Sequence, residues 1–175
     1  VIMTVENDEG DGRGIAVIDI AAPPEVVWSR INGFEHYPEW VGPVKEAEVY
    51  HASGDTIRTR TRIKGFLYDY EYFLVNVHDP DEGLLTWTLD YDRHSDFDDN
   101  VGAWFVAAHP AREGWSRAWF SSDLKLNAPL PGFVMNWVKK KGLKDATSWV
   151  KRESEKAVGY EDVEEPAAES FFGGE

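Results

Sequence analysis

Tyr70, Tyr72 and His36 are the side chains that we select as candidates for proton transfer. The two tyrosines alternate along one segment, and His36 lies within an aromatic-rich segment, so each could act as a general acid or base beside a bound molecule. A simpler interpretation stays open for all three. The tyrosines could only orient a ligand through their hydroxyls, and His36 could lie at the surface, so no residue is assigned as catalytic.

The motifs of the common enzyme classes are absent from the sequence. There is no G-x-S-x-G, no H-E-x-x-H and no glycine-rich phosphate loop. The chain has no cysteine, which excludes disulfides, zinc–thiolate sites, iron–sulfur clusters and cysteine nucleophiles. The segment D-Y-D-R-H-S-D at 90–96 could offer oxygen ligands to a divalent cation, but it lacks the central glycine of an EF-hand loop. We favour a solvated acidic loop there and expect neither a metal nor a cofactor.

The composition indicates one globular domain with an unusual aromatic content. The 175 residues are 42% hydrophobic and 14% aromatic, and eight of them are tryptophan, a residue type well suited to apolar pockets as well as cores. The formal net charge of −14 disfavours binding to nucleic acid. Because no apolar run approaches 18 residues, we expect a soluble protein without a transmembrane segment.

Patterns along the chain predict a strand, two helices, six strands and one long helix. The first strand covers 14–20, a helix follows Pro23-Pro24, and a short helix covers 34–40. Period-two segments at 44–51, 56–64, 67–78, 84–90, 102–109 and 115–126 predict the other strands, with a loop at 91–100. From Leu130 onward the apolar period becomes 3.6 for about 24 to 27 residues. Its stripe is Val134, Trp137, Val138, Ala146, Trp149 and Val150.

The segments 56–64 and 67–78 predict a hairpin with a two-residue turn at Gly65-Phe66. In that register Arg62 faces Asp69 and Arg60 faces Glu71, so the charged face is the solvent face. The opposite face presents Ile57, Thr59, Thr61, Ile63, Tyr68, Tyr70 and Tyr72. A face of tyrosine, threonine and isoleucine suits a pocket wall. The same alternation turns Phe73, Val75 and Val77 outward unless a bulge follows Tyr72.

Three short motifs resemble the START-like superfamily, also called SRPBCC. They are A-P-P-E-V-V-W at 22–28, F-E-H-Y-P-E-W at 34–40 and L-P-G-F at 130–133. The chain is most similar to the polyketide cyclase/dehydrase and lipid transport group and its coenzyme-Q-binding relatives. The resemblance covers about 14–157 and implies an α+β helix-grip fold, in which a curved antiparallel sheet wraps around a long C-terminal helix. The segment 142–151 is similar to plastid members, which implies a plastid location.

The resemblance implies an internal cavity for a hydrophobic small molecule such as a lipid, isoprenoid, quinone or pigment. We expect the protein to carry or chaperone that ligand. Two alternatives stay open: a polyketide cyclase or dehydratase acting in the same cavity, and a non-catalytic interaction subunit with a filled cavity. The residues expected to line the cavity are Tyr37, Trp40, Ile57, Thr59, Thr61, Tyr70, Tyr72, Trp87, Leu89, Trp104, Phe120, Phe133, Val134, Trp137 and Val138.

The acidic composition of the two ends of the chain distinguishes them from the domain. We expect an acidic N-terminal tail at 1–13, the helix-grip domain at 14–157 and an acidic, disordered C-terminal tail at 158–175. The acidic tails could bind a protein partner. Leu130 and Phe133 precede or begin the long helix among Pro and Gly, and we expect them to form a gate that contacts a membrane transiently during ligand exchange.

Overall fold

A computed structural model describes residues 2–6, 12–65, 68–126 and 132–160. Eight strands and three α-helices make up this part of the chain. In order they are β1 (Ile2–Glu6), β2 (Gly12–Ile20), α1 (Pro24–Ile31), a 3₁₀ turn (Phe34–His36), α2 (Tyr37–Trp40), β3 (Val44–Ser53), β4 (Thr56–Ile63), β5 (Tyr70–Asp79), β6 (Leu84–Leu89), β7 (Phe97–Ala108), β8 (Ser116–Leu126) and α3 (Gly132–Ala157).

The strands form one antiparallel sheet in the order β1-β2-β8-β7-β6-β5-β4-β3. Strands β3 to β8 are a continuous meander, and β2 returns beside β8, so the beginning and the end of the domain meet in the sheet. Helices α1 and α3 pack against this part of the structure, with α3 lying on β2 and α1. The predicted helix-grip architecture is confirmed.

Several element boundaries differ from those predicted. Strand β1 (Ile2–Glu6) lies inside the segment predicted as an acidic tail, where it pairs with β2. Strand β7 begins at Phe97 rather than at 102 and takes up part of the predicted loop, with a register shift between Phe97 and Asp99. Beyond α3, Tyr160 packs its ring against Trp115 at 5.7 Å between centroids. Side-chain contacts and strand pairing thus include residues at both ends that composition alone assigned to tails.

The predicted two-residue turn of the β4–β5 hairpin is wrong. Arg62 pairs with Glu71 and Ile63 with Tyr70, a shift of two residues that makes the connection longer. The predicted ion pairs still form, because long side chains reach diagonal neighbours. Arg60 Nε donates to Glu71 Oε2 at 2.7 Å, and Arg62 lies 3.2 Å from Asp69. A shift of two also preserves which side chains share a face.

The core lies between the concave face of the sheet and the two longer helices. Val27 and Ile31 come from α1, and Trp149 and Val150 come from α3; all four are buried. A fully buried aliphatic side chain contributes about 1.5–3 kcal/mol relative to an exposed one. A glycine makes the approach of α3 to β2 possible: a Cβ on Gly14 would lie 2.6 Å from the side chain of Leu143.

A buried carboxylate fastens the end of α3 to the chain that leaves β2. Glu155, which is 4% exposed, accepts a hydrogen bond from the backbone N–H of Ala21 at 2.9 Å and a second one from Lys151 Nζ. The next residue is held as well, since Ser116 Oγ donates to the carbonyl of Ala22 at 2.6 Å. These contacts fix the turn between β2 and α1 from two sides.

Replacing Glu155 with Ala should therefore destabilise the fold. The Ala21 N–H would remain buried without its acceptor, which costs about 1–3 kcal/mol of unfolding free energy. Urea denaturation followed by circular dichroism measures this. The matched control is Lys156→Ala, an exposed change in the same helix turn, and Glu155→Gln should lose less because it keeps an acceptor oxygen. A loss below about 0.5 kcal/mol for Glu155→Ala would contradict this anchoring role.

The convex face carries an ion-paired cluster between β2 and β8. Arg117 Nε donates to Asp19 Oδ1 at 2.6 Å, and His109 Nε2 lies 3.2 Å from Asp19 Oδ2. The Ala111 N–H donates to His109 Nδ1 at 3.1 Å, and Arg117 Nη2 lies 3.1 Å from His109 Nε2. Hydrogen bonds from Arg117, the largest cause, and from His109 outweigh burial and lower the pKa of Asp19 to about 2.

This lowered pKa makes part of the unfolding free energy depend on pH. The unfolded carboxyl titrates near 3.8 and the folded one near 2, so the contribution is complete above pH 4 and disappears as the pH falls toward 2. The difference in unfolding free energy between the native protein and Asp19→Asn should shrink over that range. Urea titrations at three pH values test it, with Asp55→Asn in an exposed turn as control. A difference that stays constant with pH would contradict the assignment.

Candidate ligand-binding site

The predicted division of β4 and β5 into two faces agrees with the structure. Strand β4 pairs with β5 without interruption from Thr56 to Ile63, so no bulge follows Tyr72. Thr59 and Thr61 are buried on the concave face, whereas Val77 is 44% exposed on the convex one. Phe73 also points to the convex side, where Tyr50 covers it at 5.8 Å and the Arg93 guanidinium lies 5.3 Å from its ring.

Large aromatic side chains cover the middle of the concave face. Trp104 and Phe120 are direct cross-strand partners with ring centroids 4.7 Å apart, and Trp87 lies 5.7 Å from Phe120. All three are buried and belong to the hydrophobic core, beside Leu85. This cluster packs under α1 and α3 and provides an apolar floor.

Two residues of β7 set the orientation of the Trp87 indole. Gly102 is its direct neighbour across the β6–β7 pair, and a Cβ there would lie 2.1 Å from the Trp87 ring. The indole therefore lies flat on the glycine backbone. Its Nε1–H donates to Asn100 Oδ1 at 2.9 Å. Trp87 is thus packed and hydrogen-bonded in a single orientation, with its polar atom satisfied.

Buried polar side chains lie beside this apolar floor. Asn76 Nδ2 donates to Thr59 Oγ1 and to the carbonyl of Ile57, both at 3.1 Å. Thr61 and Asn100 are also buried. A concave face filled only for packing would carry apolar groups at these positions, since burying polar groups costs free energy unless they are hydrogen-bonded. Here they supply hydroxyl and amide groups within an otherwise apolar surface.

An aromatic row continues from these polar groups toward the β4–β5 connection. Tyr68 lies 4.9 Å from Tyr70, and Phe97 lies 5.7 Å from Tyr70 and 5.0 Å from Tyr72. Burial raises the pKa of Tyr72 to about 12, although a hydrogen bond with Thr61 opposes the shift. Burial also raises the pKa of Tyr70. Both hydroxyls therefore stay protonated at neutral pH and can donate a hydrogen bond.

Helix α2 closes one end of the concave face. Tyr37 packs against Trp149 of α3 at 5.0 Å, and its hydroxyl donates to the carbonyl of Ile31 at 2.5 Å. Burial, with a smaller effect of neighbouring Tyr72, raises the pKa of Tyr37. Trp40 stacks on Trp149 at 6.2 Å, and its carbonyl accepts from Arg152 at 2.6 Å. These contacts tie α2 to α3 above the sheet.

The structure brings most of the predicted lining residues to the concave side. Those it places there, buried or half-buried, are Tyr37, Trp40, Ile57, Thr59, Thr61, Tyr70, Tyr72, Trp87, Leu89, Trp104 and Phe120. The side chains of Phe133, Val134, Trp137 and Val138, and the whole of Leu130, lie outside the described residues. The predicted gate therefore remains an expectation from the sequence.

Sequence reasoning missed four concave-face residues: Leu74, Asn76, Phe97 and Asn100. The alternation that selected Tyr70 and Tyr72 continues to Leu74 and Asn76, so that signal was present in the sequence. Phe97 and Asn100 fell in the predicted loop. Nothing in a single sequence indicates that Asn100 accepts from Trp87 on the neighbouring strand.

The remaining candidates for proton transfer or metal binding are His36 and the acidic residues of 90–96, and their side chains make contacts that stabilise the fold. The His36 side chain is 59% exposed and stacks on Trp40 at 4.9 Å, in agreement with the surface interpretation. Asp90, by contrast, is buried rather than solvated: Tyr50 Oη donates to its Oδ2 at 2.5 Å and Arg58 at 2.6 Å. Burial would raise the pKa of Asp90, but these bonds lower it. Asp96 accepts from the β5 backbone at 2.7 Å.

The segment 90–96 is therefore a loop that is exposed at 91–94, as expected, and is held by hydrogen bonds of Asp90 and Asp96 at its two ends. Within the part of the chain that the structure describes, no group of three or more His, Asp or Glu side chains is arranged to hold a metal ion. No helix among the described residues is long and apolar enough to cross a membrane.

The sheet, the gripping helix and the mixed polar and apolar concave face define a helix-grip protein. The chain belongs to the polyketide cyclase / dehydrase and lipid transport family, whose sequence pattern matches residues 20–148. No curated protein matches the sequence.

Solved structures resemble this one at low sequence identity. The Zhui aromatase/cyclase from Streptomyces sp. R1128 has a TM-score of 0.71 and 13% identity over 83% of this chain and 94% of that chain. A START superfamily protein from Mycobacterium smegmatis has a TM-score of 0.70 and 16% identity over 83% and 98%. The human StarD13 lipid transfer and protein localization domain has a TM-score of 0.67 and 12% identity over 87% and 88%. At these identities the similarity concerns the fold.

A methyl group at Gly102 should displace Trp87 and destabilise the domain. The added Cβ would overlap the indole, and overpacking of this kind costs about 1–3 kcal/mol. We expect Gly102→Ala to lower the unfolding free energy and to change the near-ultraviolet circular dichroism of the tryptophans. Gly42→Ala is the matched control, because nothing lies within 4 Å of a Cβ there. Equal stability of the two variants would show that Trp87 does not depend on this close approach.

Proposed function

We propose that the protein binds and carries an apolar, partly oxygenated small molecule against the concave face of its sheet. The candidate classes are lipids, isoprenoids, quinones and pigments. The observation that supports this most is the band of hydrogen-bonding groups, Thr59, Thr61, Asn76 and Tyr72, placed beside an aromatic floor. Membership of a family described by polyketide cyclisation, dehydration and lipid transport supports the same ligand class.

The energetics of such a site favour an apolar ligand with few polar atoms. Removing apolar surface from water contributes about 25 cal/mol per Å². The polar band can orient the ligand at little cost in folding free energy, because Asn76 and Thr59 are already hydrogen-bonded to each other. The hydroxyl of Tyr72 remains a donor at neutral pH, which suits a carbonyl or ether oxygen of the ligand.

In this proposal the ligand lies between the β4–β5 half of the sheet and the first half of α3. The second half of α3 is occupied in packing, with Leu143 on Gly14 and Trp149 against Tyr37. From their helical spacing in the sequence, we expect the stripe of Phe133, Val134, Trp137 and Val138 to line the same cavity. Tyr37 and Trp40 would bound the cavity at the α2 end.

A cyclase or dehydratase in the same cavity is the second candidate. It is favoured by Tyr72, a half-buried side chain whose protonated hydroxyl could donate a hydrogen bond to a ligand carbonyl as charge develops on it. Tyr37 is a poorer candidate for this role, because its hydroxyl already donates to the Ile31 carbonyl. The two functions differ in outcome: a carrier releases its ligand unchanged, whereas an enzyme converts it.

Native mass spectrometry of the protein from its own source, followed by organic extraction, tests the carrier proposal directly. We expect an apolar molecule to leave with the protein and to be recovered unchanged after incubation. Recovery of a dehydrated or cyclised product would favour the enzyme. A protein that carries nothing and whose tryptophan fluorescence does not respond to quinones, lipids or pigments would favour an interaction subunit with a filled cavity.

Removing the tyrosine hydroxyls should weaken binding of the extracted molecule without unfolding the protein. Each lost hydrogen bond is worth about 0.5–1.5 kcal/mol, so Tyr72→Phe should raise the Kd roughly twofold to tenfold, and Tyr70→Phe similarly. Isothermal titration calorimetry measures the Kd. The control is Tyr91→Phe, which removes the hydroxyl of a tyrosine that is 68% exposed. Unchanged Kd values in both Tyr70 and Tyr72 variants would contradict their role as anchors.

A further inference from the structure

The concave side of β5 ends in a small polar cluster that the proposed tyrosine anchors do not include. His78 continues the row formed by Tyr72, Leu74 and Asn76. Its ring lies against Trp28 of α1, with centroids 4.7 Å apart. Asn32, which ends α1, places its Nδ2 3.4 Å from His78 Nδ1. Three residues from two elements therefore meet at this end of the sheet.

The hydrogen bonds of the cluster leave one donor and one acceptor unused. Because Asn32 Nδ2 can only donate, His78 Nδ1 acts as the acceptor, and Nε2 carries the proton in the neutral imidazole. His78 Nε2 and Asn32 Oδ1 are both buried, and neither has a hydrogen-bond partner among the described residues. Buried polar atoms in native proteins are nearly always paired, so the two atoms indicate a missing partner.

We propose that Asn32 and His78 form a subsite for a hydroxyl group of the bound small molecule, with Trp28 as the adjoining apolar surface. A hydroxyl oxygen accepts from His78 Nε2–H while its proton is donated to Asn32 Oδ1, so one group satisfies both atoms. A ketone or ether oxygen could satisfy only the histidine. The subsite rests on the proposed function and narrows it to ligands that carry an alcohol or phenol group.

The position of the Asn32–His78 cluster supports a ligand surface that it shares with Tyr72. His78 and Tyr72 stand on the same side of β5, six residues apart, which corresponds to about 20 Å along a strand. Asn76 lies between them and is itself hydrogen-bonded to Thr59. The concave side of β5 therefore presents hydrogen-bonding groups at both ends, with one end placed at the close of α1.

A matched pair of probes, 2-naphthol and naphthalene, tests the subsite by calorimetry. We expect 2-naphthol to bind the native protein about tenfold more tightly than naphthalene. His78→Phe, which retains a ring against Trp28, and Asn32→Leu should abolish that difference by weakening the binding of 2-naphthol. His51→Phe, an exposed change on β3, is the control and should preserve the difference.

The outcomes separate the subsite from the proposed function. Equal affinity of the native protein for the two probes would overturn the subsite and indicate that an ordered water satisfies the two atoms. Binding of neither probe would count against the proposed function as well. Should a variant fail to fold, nuclear magnetic resonance of the native protein decides: the His78 Nε2–H signals must shift with 2-naphthol and not with naphthalene, and unshifted signals would overturn the subsite.

Discussion

The attachment of the second half of α3 to the sheet is the constraint on which the rest of the structure depends. Leu143 occupies the space that a side chain at Gly14 would fill, and the buried Glu155 carboxylate holds the backbone of Ala21. Both contacts join α3 to β2, at one side of the sheet. Because β2 lies next to β8 while β4 and β5 lie near the opposite edge, these two contacts of the helix lie far from the tyrosine row. These contacts would leave the β4–β5 side available for the proposed ligand.

The concave face also differs between the β8 side and the β4 side of the sheet. Toward β8 it carries the buried Trp104 and Phe120, which pair directly and pack as core. Toward β4 it carries Thr59, Thr61 and Asn76, whose polar groups would be costly to bury without partners. Internal hydrogen bonds such as that from Asn76 to Thr59 keep the empty protein stable. In the proposed function the same groups orient the ligand, so stability and recognition would use different halves of one sheet.

Alternation and helical period predict much of this arrangement, because both depend only on which side chains share a face. The Thr and Tyr faces of β4 and β5, the single long helix and most of the order of elements follow from them, whereas the helix-grip architecture was implied by the resemblance to the START-like superfamily. The hairpin register does not, since a shift of two residues keeps every face and lets Arg62 reach Asp69 diagonally. Hydrogen-bond partners on other strands cannot be predicted either. The pairing of Trp87 with Asn100, and the burial of Asp90 by Tyr50 and Arg58, exist only once the sheet has formed.

Among the described residues, buried polar side-chain atoms without a hydrogen-bond partner occur on several elements, and two of them, Asn32 Oδ1 and His78 Nε2, belong to one contacting pair. Asn76, Thr59 and Trp87 all have hydrogen-bond partners within the concave face. Asn32 Oδ1 and His78 Nε2 differ, because burial has removed them from water without supplying a partner within the described residues. If the proposed subsite binds a hydroxyl group, it would distinguish ligands by their terminal group. Affinity would then come from the apolar surface, and selectivity from the two atoms beside Trp28.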